Sequence, residues 1–215
     1  MSVDMEAAAD LAANSLVHTP SYVSIYHGGV NSDDSRIVEL RWLIFRNICI
    51  VSSKSKDYLN IFYNESKEIE CFFMMIHSSH SNATLWEQVS AGLLLIPFRV
   101  GITVFQQLIA VGEWIDKEEA SVIGDRTHYK LSTMVVRPDV QGKGVGTRCL
   151  NTAIERADCD SIPILLSTQL EKNVVFYKRL GFEVQRDSCF GEGNEPPISF
   201  RSWVMVRETK TDSKK

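Results

Sequence analysis

The stretch Leu131-Ser-Thr-Met-Val-Val-Arg-Pro-Asp-Val-Gln-Gly-Lys-Gly-Val-Gly-Thr147 constrains this chain more than any other. Its first half alternates and is rich in β-branched and apolar residues, which predicts a strand. Pro138 lacks an N–H and stops it. Val145, Cys149, Leu150, Ala153, Ile154 and Ala157 then recur at helical spacing. The reading is strand, glycine-rich turn, helix. Such a turn suits an anion. The first amides of a helix have no intrahelical partner, and the helix dipole adds partial positive charge there. Gly142, Gly144 and Gly146 leave room for close backbone approach, and Lys143 adds a point charge. An ordinary βα turn fits the glycines equally well.

Two familiar phosphate loops are excluded. A Walker loop needs Ser or Thr after Gly-Lys, where this chain has Gly144. A dinucleotide fingerprint needs a third glycine where Thr147 stands. What remains, Val-x-Pro-x-x-Gln-Gly-Lys-Gly-x-Gly, resembles the coenzyme A pyrophosphate loop of the GNAT acetyltransferase superfamily. Downstream, Asn173-Val-Val-Phe-Tyr-Lys-Arg-Leu-Gly-Phe182 resembles that superfamily's N-x-x-F-Y-x-x-x-G-F signature. Pro163-Ile-Leu-Leu-Ser-Thr168 reads as the strand between them.

Composition narrows the class. Hydrophobic residues make up 44% of the 215 and charged residues 23%, as in a soluble globular protein. The net charge is −4, and Lys and Arg cluster only in the C-terminal tail, which argues against a nucleic-acid footprint. Cys49, Cys71, Cys149, Cys159 and Cys189 show no CxxC, and their odd number disfavours a disulfide framework. No histidine or cysteine spacing suggests a metal. The acidic Met1-Ser-Val-Asp-Met-Glu start carries no readable signal peptide. A reducing, cytoplasmic setting is the expectation.

In chain order, Met5–Leu16 predicts a helix capped by Asp4 and ended by His18-Thr-Pro20. A second helix starts at Asp33 or Asp34, with Ile37, Leu40, Arg41, Ile44, Phe45 and Ile48 recurring at three and four along its buried stripe. Tyr58–Tyr63 and Ile69–His77 predict a hairpin around Asn64-Glu65-Ser66, and Ser78–Thr84 a loop. The continuously apolar Cys71–Ile76 suits a strand covered on both faces. Leu85–Ser121 reads as a helical insert broken near Pro97. About 20 apolar residues can span a bilayer, so a membrane segment has to be weighed for Ala91–Gly112. Pro97 and Arg99 interrupt that run, and Arg99, Thr103, Gln106, Ala110 and Glu113 draw a polar stripe along it. A pair of amphipathic helices covering the core is the better reading, with no membrane partner. Helix to about Asp158, strands at Phe182–Arg186 and Ile198–Val206, a loop at Ser188–Pro197 and a tail from Glu208 to Lys215 complete the chain.

This order is similar to that of GNAT enzymes. It implies one domain over residues 1–215, an α/β fold with a mixed, mostly antiparallel central sheet flanked by helices, and a helical insert at about 85–121. The second half looks like the branch that includes puromycin N-acetyltransferase, through Ala91-Gly-Leu-Leu-Leu-Ile-Pro-Phe-Arg-Val, His128-Tyr-Lys-Leu and Pro163–Thr168. One departure is that these proteins usually open with a strand, whereas almost nothing precedes Asp4.

The resemblance implies transfer of an acetyl group from acetyl-CoA to an amine, most simply that of a small molecule, with no metal. Gln141, Gly142, Lys143, Gly144, Val145, Gly146 and Thr147 would hold the pyrophosphate. Backbone groups of Met134, Val135 and Val136 would pair with the pantetheine arm like an added strand, and one amide could face the thioester oxygen. Asn173 would bond the coenzyme arm, and Tyr177 would donate to the departing thiolate. The plain alternatives are a helix cap for Asn173 and a packed aromatic for Tyr177. No carboxylate lies between Leu131 and Val136, so the base is sought among Glu113, Asp116, Glu118, Glu119 and His128. Glu118 and Glu119 read as a solvated helix end. An acyl-CoA-binding module without turnover and a protein or peptide N-acetyltransferase are the other readings; monomer and homodimer are equally open.

Overall fold

Cys71-Phe-Phe-Met-Met-Ile76 has no polar side to turn toward water, and the fold gives it none: all six residues are buried. The computed structural model describes residues 2–27, 33–80, 84–193 and 198–209. The helices are α1 (Ser2–Leu16), α2 (Pro20–Ile25), α3 (Asp33–Lys54), α4 (Leu85–Ser90), α5 (Ile96–Val100), α6 (Ile102–Ile123), α7 (Val145–Asp160) and α8 (Glu171–Lys178). The strands are β1 (Leu59–Tyr63), β2 (Ile69–His77), β3 (Tyr129–Val136), β4 (Ile164–Thr168), β5 (Glu183–Phe190) and β6 (Phe200–Arg207).

The strands form one six-stranded sheet in the order β1-β2-β3-β4-β6-β5. β3 and β4 run parallel and the other neighbours antiparallel. Side chains alternate across a strand, so β2 feeds two cores. Phe72, Met74 and Ile76 pack with Ala8, Ala12, Leu40 and Ile48 of α1 and α3. Cys71, Phe73 and Met75 pack with Leu150, Ala153 and Ile154 of α7 and Val174 of α8. The mixed, mostly antiparallel sheet with helices on both faces is the expected α/β architecture. Among the described residues no strand precedes α1.

Several local expectations change. Asp4 lies inside α1 and accepts from Tyr63 Oη at 2.9 Å, so it is not the cap. Pro20 opens a short helix, α2, rather than merely ending α1; its fixed φ and missing N–H suit a first helical turn. The insert breaks on both sides of Pro97, as expected, but at Gly92 (φ 75°) and Gly101 (φ 83°); Pro97 itself sits in the first turn of α5. Only part of the insert covers the core. Ile96, Val100, Val104 and Val111 are buried. Arg99, Thr103, Gln106, Ala110 and Glu113 are exposed as the stripe requires, but Trp86, Phe98 and Ile102 are exposed too. No helix among the described residues is long and apolar enough to cross a membrane.

At the C-terminal end β5 continues to Phe190, because Ser188, Cys189 and Phe190 pair with Ser202, Arg201 and Phe200. Residues 81–83 and 194–197 of the two expected loops lie outside the described residues. In the expected tail, Glu208 bonds Arg126 at 2.6 Å and Thr209 is buried; residues 210–215 lie outside the description.

Candidate active site

The site begins where two parallel strands part. β3 and β4 pair through Tyr129 with Ile164 and Lys130 with Leu165, and the pairing stops there. Beyond that point β3 is bulged. β2 pairs Met74 with Ser132 and Phe72 with Val135, leaving Thr133 and Met134 opposite Phe73. Thr133 adopts a φ of 53°. A β-branched residue at positive φ costs on the order of 1–3 kcal/mol and persists only where packing on both sides dictates it. Such bulges re-aim the backbone beside functional clefts.

A cavity of about 310 Å³ occupies this opening. Its walls are Thr133 and Met134 from β3, Ser167 and Thr168 from β4, and Asn173 and Tyr177 from α8. Leu16, Tyr22 and Ile25 from α1 and α2 close one side, and Val111, Ile115 and Glu119 from α6 another.

Tyr177 is 7% exposed and stacks edge-on against Phe176 and Phe182, at 5.1 and 5.5 Å between centroids. Its hydroxyl donates to Met134 Sδ at 3.6 Å, a weak acceptor that a better one can displace. Burial pushes its pKa up, so the phenol keeps its proton well past neutral pH. Asn173 stands one turn before Tyr177 on the same face of α8. Its amide donates to Thr168 Oγ1 at 3.2 Å, and the N-cap position belongs to Leu170 instead.

The glycine turn lies outside this cavity, at the start of α7. Gly142 (φ 75°) and Gly144 (φ 81°) are left-handed, with open space where a Cβ would stand, and Gly144 is the N-cap. Gly146 has another reason to be glycine. A Cβ there would come within 3.2 Å of Val136 Cγ2 and 3.4 Å of the Phe176 ring, so it seats α7 against β3 and α8. Lys143 and Thr147 are exposed beside the turn, and Val145 packs inward. Gln141 Nε2 donates to the Val136 carbonyl at 2.8 Å, so that oxygen is already engaged. Val135 points into the core on the α1 side of the sheet. The cavity therefore gathers Met134, Asn173 and Tyr177, and α7 gathers residues 141–147.

The carboxylates on α6 are not a solvated helix end. Glu118 and Glu119 are both buried. Glu118 pairs with Arg186 and accepts from Ser188 Oγ at 2.6 Å, fastening α6 to β5. The Arg186 guanidinium holds its carboxyl below the usual range despite burial. Glu119 faces the cavity, accepting from Ser167 Oγ at 2.8 Å and from Lys130 Nζ at 2.7 Å. Of the other base candidates, Glu113 is exposed, and Asp116 is exposed while bonding Lys130 at 3.3 Å. His128 bonds the Arg126 carbonyl and is not part of the cavity wall. The spacing Val111, Ile115, Glu119, Ile123 is the signal that places Glu119 on the inward face, since residues four apart share a side. Among the described residues no cluster of His, Cys, Asp or Glu is arranged to hold a metal.

Residues 104–184, from early α6 to the start of β5, match the family model of the acetyltransferase (GNAT) domain. Solved structures with the same fold are distant in sequence. The chain is similar to the Corynebacterium glutamicum histone acetyltransferase HPA2-related acetyltransferase at 16% identity, over 97% of this chain and 93% of that one, with a TM-score of 0.63. It is similar to the Drosophila melanogaster polyamine N-acetyltransferase at 11% identity, over 93% and 94% of the chains, TM-score 0.56. It is also similar to the Sinorhizobium meliloti phosphinothricin acetyltransferase, solved with acetyl-CoA, at 11% identity over 97% and 85%, TM-score 0.54. The segment that matches the acetyltransferase (GNAT) domain model holds the parted strands, the glycine turn and the Asn173–Tyr177 helix, and the chain is an acetyl-CoA-dependent acetyltransferase.

Proposed function

We propose that this chain acts as a single acetyltransferase unit that acetylates the amine of a small molecule by direct transfer, in the manner of the puromycin N-acetyltransferase branch its second half resembles. The observation that carries the reading is the parting of β3 and β4 after Lys130 and Leu165, over a cavity walled by Met134 and Tyr177. The polyamine and phosphinothricin enzymes of the same fold act on small amines by name; the histone-related one does not. The residues that α1, α2 and α6 place along the cavity wall favour a small acceptor over an extended peptide.

The donor supplies the acyl thioester, and this chain's residues do the rest. The left-handed Gly142 and Gly144 leave the first amides of α7 open to phosphate oxygens, with Lys143 beside them. Met134, on the bulge, offers main-chain groups to the pantetheine arm, and a bulge amide can donate to the thioester oxygen as charge develops. Val135 and Val136 hold the bulge in place through the core and through Gly146. Asn173 orients the arm from α8. As the neutral amine's nitrogen bonds the carbonyl carbon and the C–S bond breaks, Tyr177, whose hydroxyl now points at the sulfur of Met134, gives its proton to the leaving sulfur, and the proton shed by the new amide nitrogen restores the phenol. The five cysteines are free, which fits a reducing cytoplasmic setting.

Release of the coenzyme A thiol from acetyl-CoA across a panel of small amines and N-terminal peptides tests this. Small amines should outpace peptides. Peptides outrunning every small amine would transfer the assignment to protein acetylation, and coenzyme binding with no thiol release from any acceptor would make the chain a binding module.

A further inference from the structure

We propose that Glu119 is the seat for the acceptor's ammonium, and that the acceptors are apolar amines carrying no carboxylate. The inference rests on the acetyl-transfer reading of the same cavity. Glu119 has 7% of its side chain exposed, and what is exposed faces the cavity. A carboxylate accepts through about four lone-pair sites. Ser167 Oγ at 2.8 Å takes one of them and Lys130 Nζ at 2.7 Å another, which fixes the group and leaves acceptor capacity for a third donor.

The charge around it selects the sign of the guest. Lys130 is shared between Glu119 and Asp116, at 2.7 and 3.3 Å. Two carboxylates against one ammonium leave one net negative charge, so an incoming cation is attracted and an incoming carboxylate repelled. Lys130 also lines the cavity; burial works against its charge, but these same two carboxylates outweigh it, hold the ammonium charged and take two of its three N–H donors, so the field at the seat stays net negative. Several other polar groups of the lining bond one another. Ser21 Oγ donates to Gln169 Oε1 at 3.4 Å, and Gln169 Nε2 donates to Ser202 Oγ at 3.2 Å. Leu16, Ile25, Leu108, Val111, Ile115 and Leu170 supply much of the apolar wall. A net negative seat beside a mainly apolar wall fits an alkyl or arylalkyl amine. It does not fit an amino acid, whose carboxylate would sit in the same negative field.

Calorimetric titration of the protein saturated with coenzyme A decides the matter, using 2-phenylethylamine, its neutral isostere 2-phenylethanol, and L-phenylalanine. The amine should bind roughly tenfold or more tightly than either of the others, the ratio expected from one charge-assisted bond. In Glu119→Gln that advantage over the alcohol should vanish, with coenzyme A affinity unchanged. An amine no tighter than the alcohol, L-phenylalanine binding equally well, an unaffected Glu119→Gln variant, or no binding by any of the three would overturn the proposal. If Glu119→Gln does not fold, the ranking of the three probes on the unaltered protein decides alone. Glu119-dependent amine binding without thiol release from acetyl-CoA would uphold the seat while defeating the acetyl-transfer reading.

Discussion

Tyr177 carries the sharpest prediction at the scale of single residues. Removing its hydroxyl leaves the ring between Phe176 and Phe182, so Tyr177→Phe should fold normally. Single-turnover acetyl transfer should fall about 100-fold or more with acetyl-CoA affinity little changed, because the lost group acts mainly in the transition state. Equal losses of rate and affinity would make Tyr177 a binding residue. The pH profile adds a second check. Burial raises the phenol's pKa above its ordinary value of about 10, so protonated Tyr177 persists as pH rises and is lost only in strong alkali. Any fall in rate between pH 8 and 10 should therefore survive in the Phe variant. Glu119 shows the limit of sequence reading at this scale. The motifs expose Asn173 and Tyr177 because both lie on one short helix. The partners of Glu119, Lys130 and Ser167, come from two strands and meet it only through the fold.

At the scale of elements, β2, β3, α7 and α8 were legible because apolar periodicity and turn chemistry act locally. The bulge at Thr133 was not, since a β-branched residue argues for regular strand and against positive φ. Pro97 marks the neighbourhood of the break in the insert, but proline is welcome in a first helical turn, and it is Gly92 and Gly101 that turn the chain left-handed. The turn before α7 is tested by Gly144→Glu, which adds strain at φ 81° and a negative charge beside the first amides of the helix. Acetyl-CoA binding by calorimetry should collapse while the circular dichroism spectrum persists; unchanged binding would remove the phosphate from this turn. The α6–β5 clasp makes a prediction in pH. Arg186 lowers the folded pKa of Glu118 below its unfolded value of about 4.3, so its contribution is full above that value and is lost as pH falls through the folded one. The Tm advantage over Glu118→Gln seen at pH 7 should shrink below about pH 4, and a gap constant with pH would contradict the pairing.

For the molecule as a whole, two cores share one sheet, and the cavity opens where that sheet divides. The same chemical change should then have consequences of very different size in different places. Phe73→Ala, in a fully buried site between β2 and α7, should cost about 3–5 kcal/mol in denaturant unfolding, whereas Phe98→Ala, at 88% exposure, should stay within about 0.5 kcal/mol. A large loss at Phe98 would mean that the insert is covered in solution. The central claim is that the parted strands and the glycine turn receive acetyl-CoA together. Amide hydrogen exchange with and without acetyl-CoA tests it most directly. Protection should appear in three segments at once, at 133–136, 141–148 and 173–177, and be absent from α4 and α5. Protection confined to the insert, or none in the first two segments at saturating acetyl-CoA, would contradict the account.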